Sequence, residues 1–433
     1  MENNETVSLL FMGSIDISNY SNHPQYPMVL KVCTTLKKNG YKAWLAGGCV
    51  RDLLLNIPAK DFDVATDAPP KEVQRIFKSS LDIGEQFGII MVPLQDMNGQ
   101  NFQIEIATFR ADGEYKDGRR PEEVKFTTPE EDALRRDFTV NAMFFDPLEQ
   151  KLYDFVQGQA DLEKKILKAV GDPLKRFEED KLRMLRAIRF SAQLDFEIEL
   201  QTLKAIQKKR KEIHIVSKER IHQELSKLMD SKALIRGLKY FKETSLHEVI
   251  FESFKHFKDL DLKFEKSIQL LKNHKELDSL TKWSMFFHPY FENTFNSIPV
   301  IEDFLKEYKF SNKLTDAILT NFKTLKWMET FRSYRVGEVL EFIYSESGKR
   351  FLSFYAELPL STQELQNLKH IIDLKTKYPS LPEPLLNGND IMDLGFKAGP
   401  QLKKIIKSVY YYQIENKISD REKLIAWTKA QSF

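Results

Sequence analysis

Two aspartates one residue apart, Asp61 and Asp63, follow a Gly47–Gly48 pair within the stretch AWLAGGCVRDLLLNIPAKDFDVAT at residues 43–66. Side chains alternate along a strand, so both carboxylates leave one face while Phe62 and Val64 turn to the core. Carboxylates held side by side repel unless a cation lies between them. Hard divalent ions such as Mg2+ accept carboxylate oxygens and keep positions open for phosphates. Glycines, having no side chain, let the backbone approach a triphosphate closely. The stretch therefore reads as a metal-dependent nucleotide site. Singly its parts say little, because Asp-x-Asp and Gly-Gly are both common in plain turns. Their order is specific: an apolar strand, the glycines with Val50, Arg51 and Asp52, a short Leu-rich helix, then the aspartates.

Other groups are placed by the periodicity of their elements. Strict alternation over Phe102–Ile106 puts Gln103 and Glu105 opposite Phe102, Ile104 and Ile106. Glu105 is then either one polar residue of a half-solvated strand or a third carboxylate for a metal site. Arg135–Met143, RRDFTVNAM, offers a guanidinium for phosphate and a carboxylate for a ribose 2′-OH, or simply a surface ion pair. Arg176–Phe190, RFEEDKLRMLRAIRF, fits a helix with Leu182, Leu185 and Ile188 on its apolar side. Asp180, Arg183, Arg186 and Arg189 recur every third residue as a polar ridge, which is equally the pattern of a solvated helix with an Asp-to-Arg pair. The Lys208–Lys211 run could meet RNA phosphates or lie on a solvated face.

The motif Gly47-Gly48-x-Val50-Arg51-Asp52 followed by Asp61-x-Asp63 resembles the polymerase-β-type nucleotidyltransferases, in particular the class II tRNA nucleotidyltransferase and bacterial poly(A) polymerase family. Asn56 departs from the pattern, standing where many relatives have Gly. The resemblance implies two Mg2+ ions held by Asp61 and Asp63, with Glu105 completing a catalytic set on the neighbouring strand. It also implies nucleotide contacts from Gly47, Gly48, Arg51, Arg136, Asp137 and Asn141. In this family a Glu-Asp-x-x-Arg helix, here Glu179, Asp180 and Arg183, stands in for a template, with Arg186 and Arg189 facing the triphosphate. A carboxylate accepts from the amine of C or A and a guanidinium donates to ring acceptors, whereas U and G offer a carbonyl where the amine should be. Asp154, Gly158, Asp161 and Leu162 match a further family motif, expected to couple the head to the next domain. Ser217–Arg220 resembles the neck motif. Leu386–Gly395, with Gly399–Pro400 and the helix running to Trp427, resembles the tail that grips tRNA.

Around these groups the chain must supply several domains, since 433 residues exceed one ordinary core. The 65 Lys+Arg and 63 Asp+Glu nearly cancel, so nucleic-acid binding has to come from local patches. Cys33 and Cys49 make neither a disulfide framework nor a zinc spacing. No signal peptide or apolar run long enough for a bilayer is visible, so a cytoplasmic location is expected. The expected fold is α+β: a small mixed-sheet polymerase-β-type head followed by an elongated all-α neck, body and tail. The expected divisions are a flexible lead-in at 1–27, the head at 28–165, the neck at 166–236, the body at 237–374 and the RNA-binding tail at 375–433.

The expected function is template-independent addition of CCA to tRNA 3′ ends from CTP and ATP with release of pyrophosphate. No membrane and no obligate protein partner is expected. Gly84–Gly88 reads GEQFG, the CCA-type form, where poly(A) polymerases carry a basic segment. The Gly- and charge-rich 110–126 segment matches the family's mobile loop for switching to A, against a C-only enzyme. A-only addition, poly(A) synthesis and a catalytically dead RNA-binding protein are the alternatives.

Overall fold

A computed structural model describes residues 9–10, 17–84, 88–95, 99–113, 124–272, 276–291, 297–431 and 433. The centre of the Gly84–Gly88 signature and most of the 110–126 segment lie outside them. The chain divides into two compact units, Met1–Glu252 and Ser253–Phe433. It is mixed α+β, with the main sheet in the first unit.

The first unit holds an eight-stranded sheet in the order β1-β10-β9-β2-β3-β6-β5-β4. Its strands are β1 (Leu9–Leu10), β2 (Ala43–Ala46), β3 (Asp63–Thr66), β4 (Leu81–Gly84), β5 (Ile89–Gln95), β6 (Asn101–Thr108), β9 (Phe144–Asp146) and β10 (Lys151–Asp154). β7 (Arg110–Asp112) and β8 (Val124–Phe126) form a separate hairpin pair. Within the large sheet β3 and β6 run parallel and the other described pairs antiparallel. The register aligns Asp63 with Glu105 and Val64 with Ile106. Helices α1 (Ser18–Ser21), α2 (Tyr26–Lys38), α3 (Gly48–Leu54), α4 (Pro70–Ile76), α5 (Pro129–Leu134) and α6 (Gly158–Glu163) complete the head. Pro27 sits in the first turn of α2, and Gly40 follows its end with φ +88°, as helix punctuation predicts.

The lead-in expectation needs correction. Tyr20 is 0% exposed and meets Phe62 edge-on, and Tyr26 is buried in the same cluster. Leu9–Leu10 pairs with β10 at the sheet edge. Aromatic burial outweighs the Asn-, Ser- and Pro-rich composition of residues 19–27, which by itself suggests a loose segment.

Beyond the head come α7 (Pro173–Glu179), α8 (Leu182–Leu194), α9 (Leu200–Lys209), α10 (Lys218–Met229), α11 (Leu234–Glu243) and α12 (Leu246–Ile250). The single helix expected over Arg176–Phe190 is broken at Asp180, whose backbone is extended at φ −138°, ψ 107°. Its carboxylate accepts from the Leu182 N–H at 3.0 Å and so caps the start of α8.

Every regular element among the described residues of the second unit is a helix. Its aromatic core includes Phe254, Trp283, Phe287, Tyr290, Phe304 and Phe310. Near the C-terminus Asn387 caps Gly388–Asp393 in a capping box with Asp390, and Pro400 opens Pro400–Glu415. Tyr412 stacks on Trp427 at 3.6 Å. No helix among the described residues is long and apolar enough to cross a membrane.

Candidate active site

The strand–turn–helix from β2 to α3 shapes one wall of a cleft of roughly 830 Å³. Gly47 has φ +75°, and a Cβ there would come within 3.2 Å of an Arg136 Nη, so only glycine fits. After α3, Asn56 sits at φ +55°, the left-handed region that Asn tolerates better than most residues. This explains why Asn can stand where relatives carry Gly.

Asp63 opens β3, while Asp61 lies two residues before it on the extended approach rather than in the strand itself. Both are exposed and alternate with buried Phe62 and Val64. Glu105 is half-buried on the adjacent strand opposite Asp63. Although Asp63 as a residue is exposed, its carboxyl lies in the cleft; the desolvation there, then Glu105 and Asp61, push it up to about 6, against a lowering by Arg136. Burial and Asp61 raise Glu105 as well, with Arg110 opposing. Acidic groups raising one another mark a site with unrelieved negative charge, and an all-oxygen donor set of this kind suits a hard divalent cation.

This raised carboxyl gives a pH dependence with a definite sign. A raised carboxyl stabilises the metal-free fold on the acid side; that contribution is full below 3.8 and is lost as the pH rises through about 6. Cation binding needs the ionised form and runs the other way. For a divalent cation held by these carboxylates, the concentration for half-saturation is therefore expected to climb as pH falls below Asp63's value, approaching about tenfold per pH unit. Calorimetric Mg2+ titrations across that range check it; an affinity independent of pH would contradict it.

Arginines from several elements converge on the same cleft. Arg51 is 4% exposed, donating through Nε and one Nη to Asp52 and through the other Nη to Asn141 Oδ1 at 2.6 Å. Arg136 donates to Asp132 at 3.1 Å and to the Asn141 carbonyl at 3.3 Å. Burial alone would raise the Asp132 carboxyl, but Arg136 and Arg135 hold it below its ordinary value. Asp137 is partly buried; Arg186 and, less strongly, Arg183 overcome the desolvation cost and hold it at about 2. Asp137 also accepts from Asn141 Nδ2 at 3.3 Å.

The Asp154–Leu162 motif braces this site without lining it. Asp154 accepts from the N–H groups of Val156, Gly158 and Gln159 and so caps α6. Asp161 accepts from the Thr139 hydroxyl at 2.7 Å, fixing the 3-10 turn Thr139–Asn141.

The ridge on α8 is not a solvated face: Arg183 is 8% and Arg189 5% exposed. Arg183 donates to Glu179 Oε2 at 2.6 Å and to the carbonyls of Arg176 and Arg135, each at 3.1 Å. An Asp180–Arg183 ion pair does not form; Asp180 instead accepts from Arg220 of α10 at 2.8 Å. Arg189 lies over the Phe190 ring at 3.6 Å and pairs with buried Glu224 and with Gln193. In the basic run, Lys209 is paired with Glu178 and Glu212.

The cleft brings together Asp61, Asp63, Gly47, Gly48, Arg51, Arg136, Asp137, Asn141, Asp180, Arg183, Arg186 and Arg189. Glu105 adjoins Asp63 in the sheet without lining the cleft. Lys60, Arg135, Arg220 and Lys232 also line it. None of these four was assigned a role from sequence, although Lys60 and Arg135 stand within the stretches at 43–66 and 135–143 and Arg220 within the Ser217–Arg220 neck motif; Lys232 had no signal.

A parallel β3–β6 pair bearing carboxylates, a glycine turn and a buried arginine wall define a nucleotidyltransferase head. Family models agree: the poly A polymerase head domain matches residues 43–168, the RNA- and SrmB-binding site of polymerase A 195–258, and tRNA nucleotidyltransferase domain 2 matches 293–428. The chain belongs to the CCA-adding enzyme family. It is 33% identical over 396 residues to the CCA-adding enzyme of Pediococcus pentosaceus, covering 90% of this chain and 93% of that protein. To the CCA-adding enzyme of Oceanobacillus iheyensis it is 33% identical over 406 residues, covering 91% and 94%. The crystal structure of the Bacillus stearothermophilus CCA-adding enzyme in complex with CTP matches with a TM-score of 0.73 at 26% identity, covering 94% of this chain and 97% of that one. The Thermotoga maritima CCA-adding enzyme complexed with tRNA shares the fold at a TM-score of 0.68 and 21% identity, covering 95% and 97%.

Proposed function

We propose that the chain completes tRNA 3′ ends by adding C, C and A from CTP and ATP, without a nucleic-acid template, in the cytoplasm. The observation that carries the reading is one cleft lined both by Asp61 and Asp63 and by Asp180 and Arg183, drawn from distant parts of the sequence. In it, the tRNA 3′-OH attacks the α-phosphate, a new O–P bond forms, the bond to the β-phosphate breaks and pyrophosphate leaves. The hydroxyl proton passes to solvent.

Enzymes of this class generally use divalent metals. Asp61 and Asp63 would hold two Mg2+ ions, with Glu105 on the hydroxyl side. When bound, such ions lower the pKa of the attacking hydroxyl and neutralise charge developing on phosphate. Arg51, Arg136, Arg186 and Arg189 orient the triphosphate, while Gly47 and Gly48 let it approach the backbone. Asp137, held by Arg186 and Asn141, faces the ribose. Asp180 accepts from the exocyclic amine and Arg183 donates to ring acceptors. For the domains, we propose the head at 28–165, base-reading neck at 166–236, body at 237–374 and tRNA-binding tail at 375–433.

The test uses tRNA transcripts ending before CCA, after C and after CC, each offered CTP, ATP, UTP and GTP singly and together with Mg2+. Ordered C, C, A addition followed by arrest is expected. Growth only by A on the CC-ending transcript, long A tails, or binding without addition would each replace the reading.

A further inference from the structure

Resting on the base-reading assignment just made, we propose that Arg220 is a positioning residue that sets base selectivity by holding the Asp180 carboxylate in one orientation. Asp180 lies in extended backbone between α7 and α8, outside both helices. Its two oxygens are divided between two donors: Oδ1 takes the Leu182 N–H at 3.0 Å, and Oδ2 takes Arg220 Nη2 at 2.8 Å. Both side chains are largely shielded, at 15% and 20% exposed, so the contact is a charge-assisted bond inside the cleft wall and not a loose surface pair.

Arg220 is itself held in place. Four residues on, and so on the same face of α10, Glu224 accepts from Arg189 Nε at 2.5 Å with both side chains buried. A Cβ on Gly237 of α11 would meet Leu228 of α10 at 2.5 Å and Ala192 of α8 at 2.8 Å, so the three helices are packed without slack. Helix α10 thus backs the reading edge of the cleft.

The physical consequence concerns rejection more than binding. A fixed carboxylate presents an acceptor at one place, and a pyrimidine with a carbonyl there leaves two acceptors facing each other. A carboxylate free to turn can move aside and let a water bridge the gap, which removes the penalty. Loss of Arg220 should therefore harm the correct base and spare the wrong one.

The experiment compares the full-length enzyme with R220A, R220K and D180A on a transcript lacking CCA, measuring kcat/KM for CTP and UTP with Mg2+ present. For R220A the CTP-to-UTP preference is expected to fall about tenfold or more, through loss of CTP efficiency with UTP nearly unchanged. R220K, which keeps the charge without the forked donor, should fall between; it carries the same readout if R220A melts early. An equal loss for both nucleotides, or an unchanged preference, while D180A relaxes selectivity, would overturn the role of Arg220 alone. Unrelaxed selectivity in D180A would overturn the base-reading assignment and this inference with it.

Discussion

Replacing Asp63 by Asn is expected to lower kcat for A addition to a CC-ending tRNA by about 10³-fold or more. The loss should come without any loss of fold. Asp63 sits where burial, Glu105 and Asp61 all disfavour its charge, raising its pKa to about 6. At neutral pH the charged form is thus a cost to the metal-free fold, and Asn removes it while keeping the shape. Single-turnover addition assays paired with thermal melts in chelator test both halves. A variant that melts well below the parent would show that Asp63 is chiefly structural, and one with near-parental kcat would remove it from the chemistry.

Replacing Gly158 by Ala should cost about 2–4 kcal/mol of stability in urea unfolding. The added Cβ would lie 2.3 Å from the Thr139 carbonyl oxygen and 2.9 Å from Met143 Cγ, and backbone cannot yield as a side-chain end can. The clash falls on the turn that Asp161 holds and that carries Asn141, the partner of both Arg51 and Asp137. Activity should fall with stability for that reason. A variant as stable as the parent would mean that α6 shifts freely, contrary to the capping by Asp154.

The carboxylate side of the cleft was legible because it is nearly local. Residues 43–66 deliver a strand, a glycine turn, a helix and the Asp61–Asp63 alternation within one short unit, and strand periodicity alone assigns their faces. The same holds for Glu105, whose strand alternates cleanly, and for Pro27 and Gly40 around α2. Tyr20 was lost because its segment has loop-like composition, and partners far along the chain, Phe62 and the Cys49 carbonyl, make it core.

Spacing along single elements already marks which groups could do chemistry and which strand face they take. Their partners emerge from folding alone. The i,i+3 spacing suggested Asp180 with Arg183, yet the folded chain joins Asp180 to Arg220 and Arg183 to Glu179. It likewise buries Arg189 against Glu224. Helix spacing sets which side chains are near neighbours, but desolvation decides which ion pairs are worth making, and α8 is desolvated only when α10 packs against it.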